Sequence, residues 1–211
     1  VIKKLGDNFY NVHQSPLPSM RGSVISYIIM YDIRSFQVSL HKVTAGIDTG
    51  KIIYRKNIFI PSSLKTPFAV NEFLQRMNRV MLKEFLTKFE KKEIMEEESQ
   101  NNFFSSYNPR LSSQTNGWID WNYSVEELDR FIRSFGVPYD GARTFIHDKQ
   151  VNIKYVEISK QDSAKHPDEV GRVIRKFDDY LIVAVNNGSL YIKELFYKNQ
   201  NIIDKIKSGD K

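Results

Sequence analysis

Hydrophobic and polar positions change rhythm several times along this chain, and each change marks an element. From residue 67 to about 92, Val70, Phe73, Leu74, Met77, Val80, Met81, Phe85 and Phe89 recur at three- and four-residue spacing. That period predicts one long amphipathic helix with an apolar stripe facing a core. Thr66 offers an N-cap and Pro67 the first helical position, where a missing N–H costs nothing. Upstream, segments 37–43 and 51–60 are rich in β-branched and aromatic residues and read as strands. Between them lies Thr44-Ala45-Gly46-Ile47-Asp48-Thr49-Gly50, where two glycines permit a tight loop. From Lys91 to Asn116 the pattern turns polar, and segment 93–116 reads as a linker over the surface. Phe103, Phe104 and Tyr107 are expected to pin it down, because exposed aromatics forgo burial energy.

A second body follows from 117 to 211. Ser124 and Glu127 form a capping box, Leu128, Phe131, Ile132 and Phe135 a buried stripe, and Gly136 with Pro138 a stop. Strand-like runs occupy 151–158, 171–175, 180–185 and 190–196, with Asn187-Gly188 as a hairpin turn. These predict a small, mainly antiparallel β domain, open or barrel-like. Residues 1–92 form the first body. Because Val1-Ile2 resembles the end of an element already under way, further residues are expected upstream.

Composition narrows the classes little. The chain has 211 residues, 41% hydrophobic and 27% charged, as in ordinary soluble domains. No apolar run approaches the ~20 residues that span a bilayer, and no signal peptide is recognisable. With no cysteine, disulfides, thiolate metal sites and a Cys nucleophile are excluded, and a cytoplasmic setting fits. Net charge is +6, yet from Lys149 onward 12 Lys/Arg interleave with 9 Asp/Glu, which favours a solvated surface over a nucleic-acid footprint. His and carboxylates show no metal-ligand spacing, and there is no phosphate-binding glycine loop.

The candidate chemistry begins at Asn11-Val12-His13. On a strand these two polar side chains share a face. A Pro-stiffened loop, Ser15-Pro16-Leu17-Pro18-Ser19-Met20-Arg21-Gly22, follows. Polar groups converging at a strand end beside a loop fit the ligand crevice of an open α/β sheet. His41 lies on an alternating strand and suits a supporting or structural place, while His147 and His166 read as surface residues. Trp118, Trp121 and Tyr123 read as packing residues, with stacking on a base or sugar as the other option.

Asn11-Val12-His13 with Ser15, Leu17-Pro18 and Arg21-Gly22 resembles a motif of the 10-formyltetrahydrofolate-dependent formyltransferases. Downstream, Gly46-Ile47-Asp48-Thr49-Gly50 resembles their second motif. Gly117-Trp118-Ile119-Asp120-Trp121, Ile132-Arg133 and Pro138-Tyr139-Asp140-Gly141-Ala142 resemble their appended domain. Pro16 and Gln14 depart from the usual motif residues. The resemblance implies the second half of a Rossmann-like catalytic domain, 1–92, followed by an open or OB-like β barrel. It also implies that the first half of the catalytic domain, which carries much of the folate and acceptor site, is absent. Without that half, this chain by itself is expected to be inactive.

The same resemblance implies Asn11, His13 and Asp48 as catalytic residues, Gly46, Ile47 and Asp48 as contacts to 10-formyltetrahydrofolate, and Ser15, Arg21 and Gly22 as contacts to the acceptor. In that mechanism an amine attacks the formyl carbon, Asn11 and a protonated His13 donate to the oxygen of the tetrahedral intermediate, and Asp48 keeps the imidazole cationic and takes the amine proton. Arg21 suits either an acceptor phosphate or loop support. The aromatic run 103–110 resembles the nucleotide-sugar N-formyltransferase branch, so a nucleotide-linked amino sugar is the favoured acceptor, with initiator tRNA second. A second copy of the chain is a compatible partner. The rival reading is a non-catalytic binding module carrying degenerate motifs.

Overall fold

The computed structural model describes residues 9–93 and 95–211, so Val1 and Ile2 lie outside the described residues. Contacts gather the chain into two compact units. One takes most of the chain up to Arg110, and the other takes Leu111 onward together with 29–32 and 66–68. Among the described residues no helix is long and apolar enough to cross a membrane.

In the first unit three strands build one sheet: β1 (Tyr10–His13), β3 (Ser35–Lys42) and β4 (Ile52–Phe59), in the order β1-β3-β4. Both pairings are antiparallel. The parallel order of a doubly wound sheet is therefore not what these three strands show. Register matters more than direction here, because it sets Asn11 opposite His41 and His13 opposite Ser39. Opposed residues of neighbouring strands have Cβ atoms about 4.5–5.5 Å apart, so the pairing brings their side chains within reach. A register shift between Leu40 and His41 turns β3 as it approaches the loop to β4.

Helix α2 (Pro67–Glu90) bears out the helical period, but its buried face is narrower than the sequence suggests. Val70, Leu74, Met81 and Phe85 are buried, whereas Val80 and Phe89, expected in the same stripe, are exposed. Phe85 packs on the sheet, with ring centroids 6.3 Å from Tyr10 of β1 and 6.4 Å from Tyr54 of β4, and Glu84 beside it accepts from Lys56 of β4 at 2.6 Å. A single sheet face accommodates one narrow strip of helix, which leaves flanking apolar positions in water.

The stretch read as a linker is tied to the first unit as far as Asn108. Backbone bonds join Glu98 to Ile52, and β5 (Tyr107–Asn108) runs parallel to β2 (Arg21–Gly22). The aromatics do not do the anchoring: Phe103, Phe104 and Tyr107 are all exposed, with Phe103 at 86%. That expectation is corrected, since backbone pairing and side-chain amides hold the segment instead. Between β2 and β3, a short helix α1 (Ile25–Met30) carries the apolar run that begins at Ile25.

The second unit begins with the single turn α3 (Ser113–Asn116), then α4 (Val125–Ser134). The capping box forms as the spacing predicts, Ser124 accepting from the Glu127 N–H and Glu127 from the Ser124 N–H. Its sheet contains β6 (Ala142–Ile146), β7 (Lys149–Ser159), β8 (Val173–Lys176), β9 (Leu181–Val185), β10 (Gly188–Tyr197) and β11 (Gln200–Asn201). The order is β6-β7-β10-β9-β8, with β11 on β10, and every pairing is antiparallel. Val125, Leu128 and Ile132 of α4, with Phe135 at its C-cap, share one buried core with Val151, Ile153, Leu181, Val183, Leu190 and Ile192.

Strand β6 is absent from the sequence reading. Ala142–Ile146 is five residues with only Phe145 and Ile146 strongly apolar, and its hairpin turn, His147-Asp148, with positive φ of 47° and 59°, carries no glycine to mark it. His147, read as a surface residue, is exposed and pairs with Asp210 at 2.9 Å.

Candidate active site

The sequence-predicted trio meets at one end of the first unit's sheet. β1 delivers Asn11 and His13, and the loop after β3 delivers Asp48, which itself has a positive φ of 53°. A carboxylate side chain tolerates that left-handed geometry better than most. His13 Nδ1 lies 3.4 Å from Asp48 Oδ2, and His41 Nε2 lies 3.5 Å from Asp48 Oδ1. Asn11 Nδ2 donates to His41 Nε2 over 3.2 Å. His41 therefore joins the cluster as a fourth member, and its other nitrogen, Nδ1, donates to the Lys42 carbonyl at 2.8 Å. Its Nε2 thus faces both the Asn11 amide and the Asp48 carboxylate.

The electrostatics revise one expectation. Burial pushes the His13 imidazole below the ordinary histidine value of 6.5, and this outweighs the opposing pull of the Met20 carbonyl and of the Asp48 charge. His13 Nε2 donates to the Met20 carbonyl at 2.7 Å, which leaves Nδ1 facing Asp48. A His13 held cationic by Asp48, and donating to an oxyanion, is not the resting arrangement. Asp48 goes the other way. Burial alone would raise it, but the hydrogen bond from His41, the Gly22 N–H at 3.0 Å and the charges of both imidazoles hold its carboxyl below 3.8. The site at neutral pH thus pairs an ionised carboxylate with a neutral, buried imidazole.

A linkage consequence follows for stability. The folded chain binds a proton at His13 less readily than the unfolded chain, so stability rises with pH across that titration. The contribution is complete above the ordinary value of 6.5 and is lost as pH falls below it through the depressed folded value. The midpoint of thermal unfolding is expected to drop between pH 7 and pH 5, and His13→Gln should flatten that slope. An unchanged slope in the variant would show that other groups carry it.

The remaining predicted residues divide into two groups. Gly46, Ile47 and Asp48 line a cleft of about 340 Å3 together with Asn11 and His41, and apolar walls come from Phe9, Tyr10 and Val43. Gly22 lines a second cleft beside Asn11 and His13. Ser15 and Arg21 turn inward instead. Ser15 is fully buried and its hydroxyl donates to the Met20 carbonyl at 2.5 Å. Arg21 is buried and donates to Gln100 Oε1 at 2.8 Å and Asn102 Oδ1 at 2.9 Å, so these contacts fix the loop.

Gln100 is the functional residue that sequence reasoning missed. Its amide nitrogen donates to the carbonyls of Asp48, at 2.8 Å, and Gly50, at 2.7 Å, while its oxygen receives Arg21. One side chain therefore ties the Asp48 loop to the loop after β1. A lone Gln in a polar run carries no sequence signal for this.

Residues 112–205 match the family described as "Formyl transferase, C-terminal domain". The chain is 31% identical over 186 residues to a methionyl-tRNA formyltransferase from Desulfotalea psychrophila, covering 88% of this chain and 55% of that protein. It is 30% identical over 205 residues to the bifunctional polymyxin resistance protein ArnA of Wigglesworthia glossinidia brevipalpis, covering 97% of this chain and 30% of that one. Among solved structures, an N-formyltransferase from Helicobacter canadensis, in complex with folinic acid and dTDP-3-aminofucose, shares the fold at a TM-score of 0.67. Its identity is 21%, over 90% of this chain and 67% of that one. Residues 112–205 thus match the C-terminal domain of formyltransferases, and the chain is similar in sequence to proteins of that kind. It spans about half the length of the first relative.

Proposed function

We propose that the protein transfers a formyl group from 10-formyltetrahydrofolate to the amine of a nucleotide-linked amino sugar, with the first unit as the later part of a Rossmann-like catalytic domain. The observation that carries this reading is the convergence of Asn11, His13, His41 and Asp48 on one pair of clefts, ionised carboxylate against neutral imidazole. The smaller cleft suits one end of a folate, since apolar Phe9, Tyr10, Val43 and Ile47 line it together with polar Asn11, His41 and Asp48. The co-substrate supplies the formyl carbon and a nitrogen leaving group.

Each residue then has a task. Asn11 spends one N–H on His41 and keeps a second for the formyl oxygen as it becomes negative, and its exposure leaves that hydrogen accessible. A placed donor of this kind is worth about 3–4 kcal/mol in acyl transfer. Asp48, ionised and poised by the Gly22 N–H, takes the proton released by the attacking amine. His13 Nδ1, 3.4 Å away, shares that proton and passes it toward the departing nitrogen. His41 orients Asn11 through its Nε2 and stands 3.5 Å from Asp48 Oδ1.

The amino-sugar acceptor draws support from the likeness to the Helicobacter canadensis structure and from the interleaved charges of residues 149–211, which lack the concentrated basic surface that tRNA binding uses. The test is mass spectrometry of amino-sugar nucleotides and of charged initiator tRNA, each incubated with the full-length protein and formyl donor. One formyl added to the sugar supports the proposal; a formyl on the aminoacyl-tRNA moves the acceptor. Transfer to neither, with salt-dependent RNA binding, would make this a binding module.

A further inference from the structure

We propose that Arg55 is a positioning residue for His13: it clamps the loop after β1, whose backbone carbonyl fixes the imidazole. The inference rests on the reacting role given to His13 above. The clamp begins in the sheet. His13 of β1 pairs with Ser39 of β3, and Ser39 pairs with Arg55 of β4, so the three form one row across the sheet. Residues in such a row present their side chains to the same face. Arg55 reaches back toward β1 over Ser39, which is fully buried, its Nη1 passing 3.4 Å from the Ser39 hydroxyl. The same Nη1 donates to the carbonyl of buried Leu17 at 2.9 Å.

Leu17 lies inside the turn that holds His13. Within that turn the Met20 N–H donates to the Pro16 carbonyl at 3.0 Å, and the Met20 carbonyl accepts from His13 Nε2 at 2.7 Å and from the Ser15 hydroxyl at 2.5 Å. A carbonyl only accepts, so neutral His13 carries its proton on Nε2 and keeps a lone pair on Nδ1, 3.4 Å from Asp48. That tautomer depends on where Met20 stands, and Arg55 holds the turn that places it. Glu98 fixes Arg55 in its place, accepting from Nε at 3.0 Å and from Nη2 at 2.8 Å, the paired geometry natural to a guanidinium. The carboxylate also balances the guanidinium charge, so what Arg55 passes to His13 is position. Among the described residues, the titratable groups facing the imidazole are Asp48 and His41, whose ring centroid lies 6.3 Å away.

The test follows the His13 ring nitrogens by heteronuclear NMR across pH in the full-length protein, the signals being assigned by their loss in His13→Gln. The unaltered protein is expected to show the Nε2–H form and a midpoint below 6.5. Arg55→Met releases the Leu17 carbonyl and admits water to the ring, so the midpoint should rise toward 6.5 and the Nε2–H preference should weaken. In turnover, Arg55→Met should lower kcat for formyl transfer by about tenfold to a hundredfold, as misplacements near 1 Å do, with KM little changed. Arg55→Lys, which still donates to Leu17, should recover most of the turnover and the Nε2–H form. An unmoved His13 titration and tautomer in Arg55→Met, whatever its unfolding temperature, or no recovery in Arg55→Lys, overturns the proposal. A His13 titration that depends on Arg55, without formyl transfer by the unaltered protein, overturns the formyl-transfer reading and retains this one.

Discussion

Asp48→Asn in the full-length protein is expected to lower kcat/KM for formyl transfer by about 10²–10⁴-fold, the usual reach of a general acid–base group, with little change in thermal stability. The substitution is nearly isosteric, and Asn tolerates the positive φ of 53° as Asp does. The Gly22 N–H can still donate to the side-chain oxygen. What disappears is the negative charge between two imidazoles, 3.4 Å from His13 and 3.5 Å from His41. Steady-state kinetics with a saturating formyl donor measure the effect. Near-normal turnover would remove Asp48 from the proton path.

Gly50→Ala should harm structure and activity together. A Cβ on Gly50 would lie 1.8 Å from the Lys42 carbonyl oxygen, and that atom belongs to backbone, which cannot swing aside. Lys42 follows His41 and accepts its Nδ1–H, while the Gly50 carbonyl is held by Gln100. Relieving the clash therefore moves the loop carrying Asp48 away from β3. Overpacking of this kind costs about 1–3 kcal/mol, and displacements near 1 Å at a reacting centre cost about 10²-fold in rate. The expected result is a midpoint of thermal unfolding lower by several degrees and turnover reduced more than a hundredfold. A variant as stable and active as its parent would mean that the loop has slack absent from this geometry.

What could be read from the residues, and what could not, follows from the range of each interaction. Helix α4 shows its boundaries because capping is local: Ser124 and Glu127 stand three residues apart and meet. Asn11, His13 and Asp48 are recognisable through the formyltransferase-like motifs, which record chemistry and not packing. Cross-strand register is a long-range property, so the pairing of Asn11 with His41, thirty residues on, has no local trace. The same holds for Gln100, whose partners sit 50 to 79 positions away. Phe103, Phe104 and Tyr107 mislead in the opposite way, because hydrophobicity predicts burial only on average.

The role of Gln100 bears on how such a protein can be recombined. Composition would place a splice between the two units near residue 92, at the start of the polar stretch. Spliced there, a chimera would import a foreign segment 93–110 and with it a foreign residue at position 100. The Asp48 loop would then lose both donors to its carbonyls, and Arg21 would lose the Gln100 oxygen. A junction that keeps Gln100 with the Asp48 loop lies at Arg110–Leu111, where the longest run of the second unit begins. The polar stretch thus travels with the chemistry, and exchangeability of the C-terminal unit begins only after it.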